Sequence, residues 1–446
     1  MDTAIATEAK VQHVTRKSSD ELLRKFAEAG SNEAGKNKRR KKKKRESECD
    51  CDSPMNGGAA VVERRSLLPP KVTRRSVLLR QLRVRDVRNK SSLFGTIHKV
   101  SVPNSVHILQ TKHAIGSYMA NEVIEDHSQV EIGSDAIFVG VYDGHGGPEA
   151  SRFVRDHLFQ HLMRIAQDNG TISEEILRGA VTATEDGFMK LVHRSYMIKP
   201  LIASIGSCCL VGVIWKGTLY IANLGDSRAV VGSLGRSNKI IAEQLTREHN
   251  ACREEIRQEL RSLHPQDSQI VVMNRGTWRV KGIIQVSRSI GDAYLKWPQF
   301  SLDPSFPRFH MPEPITQPVL TAEPSLCSRV LQPHDKFLIF ASDGLWEYMT
   351  NQQAAEIVQK NPRNGVARKL VKAALKEAAN KRKMKYKELQ KIEKGNRRIF
   401  HDDITVIVVF IDHELLGKKI TVPELSIRGF IDSAGPSNFK SVQEFM

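Results

Sequence analysis

Cysteine is scarce. There are six in 446 residues, too few for the disulfide framework of a small secreted scaffold. Cys49 and Cys51 are separated by a single residue, which is not the spacing of a zinc ribbon. Cys208-Cys209 falls in an apolar, strand-like run and reads as buried thiol. Long hydrophobic runs are absent as well. No uninterrupted apolar stretch approaches the roughly 18 residues of a membrane-spanning helix, and the first residues lack the apolar core of a secretory signal. These absences exclude a disulfide-stapled module and point to a reducing compartment, the nucleus or the cytoplasm.

An acidic excess is also missing. The formal net charge is +18, but it is unevenly spread. Residues 1–100 hold 25 Lys/Arg against 12 Asp/Glu, whereas the rest of the chain holds 43 against 38. The basic excess therefore belongs to an N-terminal arm and does not argue for a nucleic-acid-binding body. With 40% apolar and 26% charged residues the chain fits a soluble globular protein with ample material for a core.

The arm, residues 1–100, reads as mostly disordered. Ser18-Ser19-Asp20-Glu21 offers a capping box and Gly30 a stop for one short helix. Residues 36–45 carry nine basic side chains in ten, a nuclear-import signal or a patch for polyanions or membrane surfaces. Ser66 and Ser76 each follow paired arginines, a spacing that suits basophilic kinases. Ser76 to Lys90 mixes leucines with arginines, as an ordinary helix leaning on the domain or a basic amphipathic helix would. The ordered domain is expected over 101–413, with 414–446 as a tail.

Within the domain, Ala136–Tyr142, Cys208–Trp215, Leu219–Asn223, Arg228–Gly232, Phe337–Ala341 and Ile404–Ile411 read as strands. Trp215-Lys216-Gly217-Thr218 reads as a hairpin turn. Glu149–Ile165, Ser173–His193, Asn250–Ser262, Asn351–Lys360 and Asn364–Glu393 carry helical periodicity. Strands joined by tight turns, with helices in separate blocks, favour an α+β fold of antiparallel sheets flanked by helices.

The most informative stretch is Asp143-Gly144-His145-Gly146, where a β-rich run ends in a carboxylate, a glycine and a histidine. A carboxylate there can hold a divalent cation, a glycine lets the backbone approach it, and the histidine can exchange a proton beside it. Acids recur at strand junctions in Glu125-Asp126, Gly225-Asp226, Ser342-Asp343-Gly344 and Asp402-Asp403. Each alone is more often a turn or a cap. Together they are a set of hard oxygen ligands suited to Mg²⁺ or Mn²⁺.

The ordered series Glu125-Asp126, Asp143-Gly144-His145-Gly146-Gly147, Gly206-Ser207, Gly225-Asp226-Ser227-Arg228, Val286-Ser287-Arg288-Ser289-Ile290-Gly291-Asp292, Ala341-Ser342-Asp343-Gly344-Leu345-Trp346 and Asp402-Asp403-Ile404-Thr405-Val406 resembles the metal-dependent (type 2C) Ser/Thr protein phosphatases. Several further stretches are similar to one plant subgroup. The resemblance implies a four-layer αββα sandwich of two antiparallel sheets flanked by helices, with a binuclear site of two Mg²⁺ or Mn²⁺ ions at one end. It implies that Asp143 bridges the ions, that Gly144 gives one its carbonyl, that Asp343 and Asp402 hold the other, and that Glu125, Asp126, Asp226 and Glu347 act through water or from outside. It implies hydrolysis of phosphoserine and phosphothreonine in proteins by a metal-bridging hydroxide, with His145 protonating the leaving oxygen. The Cys-x5-Arg loop of the thiol-dependent alternative is absent.

The chain departs from the family at three places. Asn121 stands where an arginine often binds phosphate, so the phosphate-binding residue is left open. Glu347 replaces an aspartate linked to a third metal. Asp403 stands where asparagine is usual, and could tighten cation binding or repel phosphate. Asn121 and Glu347 keep a second class of function in play, a pseudophosphatase that captures phosphoproteins without turnover. The expected partners are phosphoprotein substrates and small inhibitory regulators, with no nucleic acid required, and the expected state is a monomer.

Overall fold

The structure, a computed structural model, describes residues 113–412 except 134, 135, 310 and 312, together with 425–428, 433–435 and 437. The chain divides into two units, 1–74 and 75–446. The expectations for the arm (the helix after Ser18, the basic run, Ser66, Ser76 and the stretch to Lys90) lie outside the described residues.

In chain order the strands are β1 (His113–Tyr118), β2 (His127–Ile132), β3 (Ala136–Tyr142), β4 (Gly144–His145), β5 (Gly206–Ser207), β6 (Cys209–Trp215), β7 (Thr218–Leu224), β8 (Arg228–Leu234), β9 (Ile240–Gln244), β10 (Val271–Asn274), β11 (Thr277–Val280), β12 (Ile290–Gly291), β13 (Ser325–Val330), β14 (Asp335–Ala341), β15 (Ile404–Phe410), β16 (Leu425–Arg428) and β17 (Ser433–Gly435). The helices are α1 (Glu149–Asn169), α2 (Glu174–Ser195), α3 (Glu254–Leu263), α4 (Asp343–Trp346), α5 (Asn351–Lys360), α6 (Val366–Lys381) and α7 (Tyr386–Leu389). One antiparallel sheet runs β1-β15-β14-β8-β9, and a larger one runs β13-β7-β6-β3-β2-β16-β17.

Side-chain alternation shows how these sheets stack. In β14, Leu338 and Phe340 join Ile137, Val139 and Val141 of β3 in one buried cluster between the sheets. The opposite face of β14, with Phe337, Ile339 and Ala341, packs against Leu370, Ala374 and Ala378 of α6. The opposite face of β3, with Ala136, Phe138 and Tyr142, packs against Val154 and Leu158 of α1. The order of layers is helix, sheet, sheet, helix, the αββα sandwich. Strands covered on both faces need no polar alternation, which is why the sequence shows them as continuous apolar runs.

Local chemistry sets several boundaries. Lys216 (φ 49°) and Gly217 (φ 78°) form the turn that pairs Trp215 with Thr218, a type I′ hairpin matched to strand twist. Thr350 and Gln353 make a reciprocal capping box that starts α5. The expected single helix over Asn364–Glu393 is two. Met384 N donates to Ala379 O (3.0 Å) with Lys383 in the left-handed region, a Schellman-type closure that ends α6.

The stretch expected to be a tail contributes to the larger sheet. Its β16 pairs antiparallel with β2, and β17 pairs with β16. Buried Glu131 on β2 accepts from Ser426 Oγ (2.6 Å) and Ser437 Oγ (2.7 Å). Among the described residues no helix is long and apolar enough to cross a membrane.

Candidate active site

Three strands of the sandwich deliver acids to the same end. Asp143 follows β3, Asp226 stands in the turn between β7 and β8, and Asp343 opens α4 after β14. One carboxylate oxygen from each lies within 4.8 Å of the other two. They line a cleft of about 200 Å³ with His145, Asp292, Arg398 and Asp402. Burial, then the charges of their neighbours, pushes the Asp143 and Asp343 carboxyls well above the usual carboxylate range, and burial raises that of Asp226. The Asp343 Oδ1 atom is buried and has no hydrogen-bond partner among the described residues. A cluster of crowded carboxylates with an unsatisfied oxygen is a poor arrangement for a bare protein and a good one for a hard divalent cation, so the residues fit Mg²⁺ or Mn²⁺.

Glu125 and Asp126 sit behind this group and do not line the cleft. Asp126 is buried and accepts from Ser342 Oγ (2.9 Å). Burial and the nearby Asp403 charge push its carboxyl up to about 7. Burial also raises Glu125. Gly144 lies against this pair, where a Cβ would collide with the Glu125 carbonyl oxygen, so only glycine permits the approach.

His145 stands on β4 with its Nε2 atom 2.7 Å from Asp292 Oδ2. The same oxygen accepts from Ser289 Oγ (2.6 Å). Gly206, opposite His145 in the β4–β5 pair, makes room for both partners, since a Cβ there would strike the imidazole and the Asp292 carboxylate. Burial alone would lower the His145 pKa. The Asp292 charge and hydrogen bond outweigh it, and the pKa is raised.

Two expected residues are placed differently. Asp402 lines the cleft but stands outside the Asp143–Asp226–Asp343 trio. Its Oδ1 pairs with Arg398, four residues upstream, and accepts from Asp403 N (2.7 Å). Asp226, expected at a distance through water, takes the inner place. Glu347 is exposed at the end of α4 and does not line the cleft.

Asp403, read as an extra carboxylate beside the cations, has both oxygens engaged by the loop before β2. Asp403 is buried, and its Oδ1 accepts from Ala120 N (2.6 Å) and Asn121 N (3.2 Å). Its Oδ2 accepts from Glu125 N (2.9 Å) and Asn121 Nδ2 (3.1 Å). Asn121 Nδ2 also reaches Glu125 Oε2 (3.1 Å). Two of the three departures from the family pattern are thus one interaction that shapes the loop before β2.

Sequence reasoning missed the partner of His145, although Asp292 closes the motif Val286–Asp292. It also missed the cationic lining of the cleft, Arg279, Arg308 and Arg398, and Cys208, whose Sγ donates to Asp226 Oδ1 at 3.4 Å.

Comparison with known proteins bears on the chemistry. The family described as Protein phosphatase 2C matches residues 113–383, a span that ends before Asp402. A rice (Oryza sativa subsp. japonica) protein named Probable protein phosphatase 2C 43 is 68% identical over 338 residues, 74% of this chain and 87% of its own. Probable protein phosphatase 2C 68 of Arabidopsis thaliana is 67% identical over 338 residues, 74% of this chain and 86% of its own. Among solved structures, the serine-threonine phosphatase 2C from Toxoplasma gondii aligns at 19% identity with a TM-score of 0.49, covering 70% of this chain and 100% of that one.

Proposed function

The chain belongs to the protein phosphatase 2C family and is a protein serine/threonine phosphatase; from that premise we propose that it hydrolyses phosphoserine and phosphothreonine with two divalent cations, Mg²⁺ or Mn²⁺, held in the acidic cleft. The observation that carries this reading is the approach of Asp143, Asp226 and Asp343 to within 4.8 Å beside His145. Asp143, Asp343, Asp402 and the Gly144 carbonyl would hold the ions. The geometry favours adding Asp226 to that set, with Glu125 and Asp126 supporting from behind and Glu347 from outside. When bound, such ions supply an activated water and neutralise phosphoryl charge.

The chain's own contribution to bond breaking is His145. A departing serine or threonine oxygen needs a proton, and a side chain poised near neutral pH is suited to give it. Asp292 holds the imidazole by Nε2 and favours its charged form. That leaves Nδ1 as the atom to carry the proton. Ser289 fixes the carboxylate that fixes the ring.

The test is turnover of p-nitrophenyl phosphate with Mn²⁺ by the full chain and by Asp343→Asn. A wild type no faster than this variant would leave only capture of phosphoproteins. The basic run 36–45 is assigned to nuclear import on its composition. A reporter carrying residues 31–50 should concentrate in nuclei, and an even distribution would reject that assignment.

A further inference from the structure

A phosphomonoester brings negative charge into a cleft already lined with carboxylates. Cations offset part of that repulsion, but orienting the phosphoryl oxygens calls for a donor fork, which guanidinium supplies and an amide does not. Asn121 cannot serve. Its Nδ2 is committed to Glu125 Oε2 and Asp403 Oδ2, and the residue does not line the cleft.

The chain brings a guanidinium to the same neighbourhood from another direction. Arg398 sits in the 3₁₀ turn Asn396–Ile399 and lines the cleft with Asp143, Asp343 and Asp402. The segment that carries it is clamped onto the segment that carries Asn121: Gly395 N donates to Ala120 O (2.9 Å) and Arg397 Nη1 to Met119 O (3.4 Å). Arg398 is partly exposed, at 41%, so a ligand can reach it. Its ion-pair partner among the described residues is Asp402. A guanidinium has five N–H donors, so one carboxylate does not exhaust it. Its charge also acts on Glu125, Asp126 and Asp143, pulling each carboxyl down against the effect of burial.

Two other arginines line the cleft, and each has a different engagement. Arg308 lies over the Phe309 ring at 5.1 Å, and Arg279 Nη1 donates to Ile283 O at 2.8 Å. Arg308 also acts on Glu125, but among the described residues neither forms an ion pair with an acid proposed as a metal ligand, as Arg398 does.

We propose that Arg398 is the phosphoryl-binding arginine of this enzyme, supplied by the turn before Asp402 in place of position 121. Its pairing with Asp402 ties the phosphate site to the cation site. With Asp402 engaged in holding a cation, the Arg398 fork would be free for the phosphoryl group. The inference rests on the phosphatase reading and deepens it.

The test is calorimetric binding of inorganic phosphate to the Mn²⁺-loaded full chain, with Mn²⁺ affinity measured separately. Loss of a charge-assisted pair predicts that Arg398→Ala weakens phosphate binding about tenfold to a hundredfold, with Arg398→Lys between it and wild type. Steady-state losses on a phosphopeptide should fall mainly on KM. Mn²⁺ affinity should hold or tighten, because a competitor for Asp402 is gone. Arg308→Ala should shift phosphate binding much less. Unchanged phosphate affinity in Arg398→Ala would overturn the inference, as would an equal loss in Arg308→Ala. So would a parallel loss of Mn²⁺, which would make Arg398 only a support for Asp402. A wild type that binds phosphate but turns over nothing would sink the turnover reading instead, and the binding shift would still decide the role of Arg398.

Discussion

His145 Nε2 meets Asp292 Oδ2 at 2.7 Å across 147 positions of sequence, and Asp292 is almost fully buried where it does so. A buried carboxylate beside a histidine sets both its direction and its charge. Asp292→Asn keeps the shape and removes the charge. Burial is then opposed only by the lesser Glu125 and Asp226 charges, so the His145 pKa falls and the protonated form is lost at lower pH. The basic limb of the pH–rate profile should move to lower pH. Turnover of a phosphoserine peptide should fall about tenfold or more, and His145→Ala should cost about 10²–10⁴. p-Nitrophenyl phosphate, whose leaving group needs no proton, should lose far less in both. Equal losses on the two substrates would remove His145 from the proton-transfer role.

Asp403 is expected to act on stability. Three backbone N–H groups, of Ala120, Asn121 and Glu125, and the Asn121 amide converge on its two oxygens. Asp403→Ala strands the buried Ala120 N–H and three part-buried donors, at about 1–3 kcal/mol for a buried one and less for the others, so a loss of about 2 kcal/mol or more is expected in urea unfolding. Asp403→Asn, with one acceptor oxygen, should lose less. A double-mutant cycle with Asn121→Ala should show coupling of roughly 0.5–3 kcal/mol. Additive losses would mean that the two departures from the family pattern are independent.

These two relationships show what the sequence could and could not carry. The acids were legible because each sits where a strand begins or ends, and both faces of β3, β14 and β15 are covered, which makes the runs conspicuous. The bounds of α5 were legible from its helical periodicity. Who touches whom was not. His145 and Asp292, or Asn121 and Asp403, meet only once the sheets have stacked, and nothing local marks the pair. Arg398 lies in a segment rich in Lys and Arg with no feature to set it apart. The hairpin β10–β11 and the strand β16 are four residues each, too short for periodicity to declare. The break after α6 depends on Lys383 adopting a conformation that lysine rarely takes.

Removal of residues 414–446 should destabilise the protein. The larger sheet would lose β16, exposing the edge of β2. Glu131, buried on that strand, would keep only Gln129 Nε2 (2.8 Å) of three side-chain donors. An acceptor-only carboxylate short of partners is costly in a buried place, at about 1–3 kcal/mol or more. A melting temperature lowered by several degrees is expected, with Glu131→Gln recovering part of the loss in the truncated chain. An unchanged melting temperature would mean that β16 adds nothing to the fold.

Cation binding should release protons. Asp126 moves from 3.8 to about 7 in the folded chain, and burial sets Asp143 and Asp343 well above their ordinary range. A carboxyl raised on folding adds stability that is present below pH 3.8 and is lost as pH climbs through about 7, where the ionised acids are left to repel one another. His127, held at about 4, His249, at about 3, and His401, at about 4, act in the opposite sense up to 6.5, so stability against pH alone is ambiguous. None of these histidines lines the cleft, so their contribution cancels when the protein is compared with and without Mn²⁺. The gain in melting temperature on adding Mn²⁺ should therefore grow from pH 5 to pH 7 (roughly the window in which the acids ionise). Calorimetry at pH 6 in two buffers of different ionisation enthalpy should give different apparent heats. Identical heats would mean that no proton leaves, and that the crowded carboxylates are not where the cation binds.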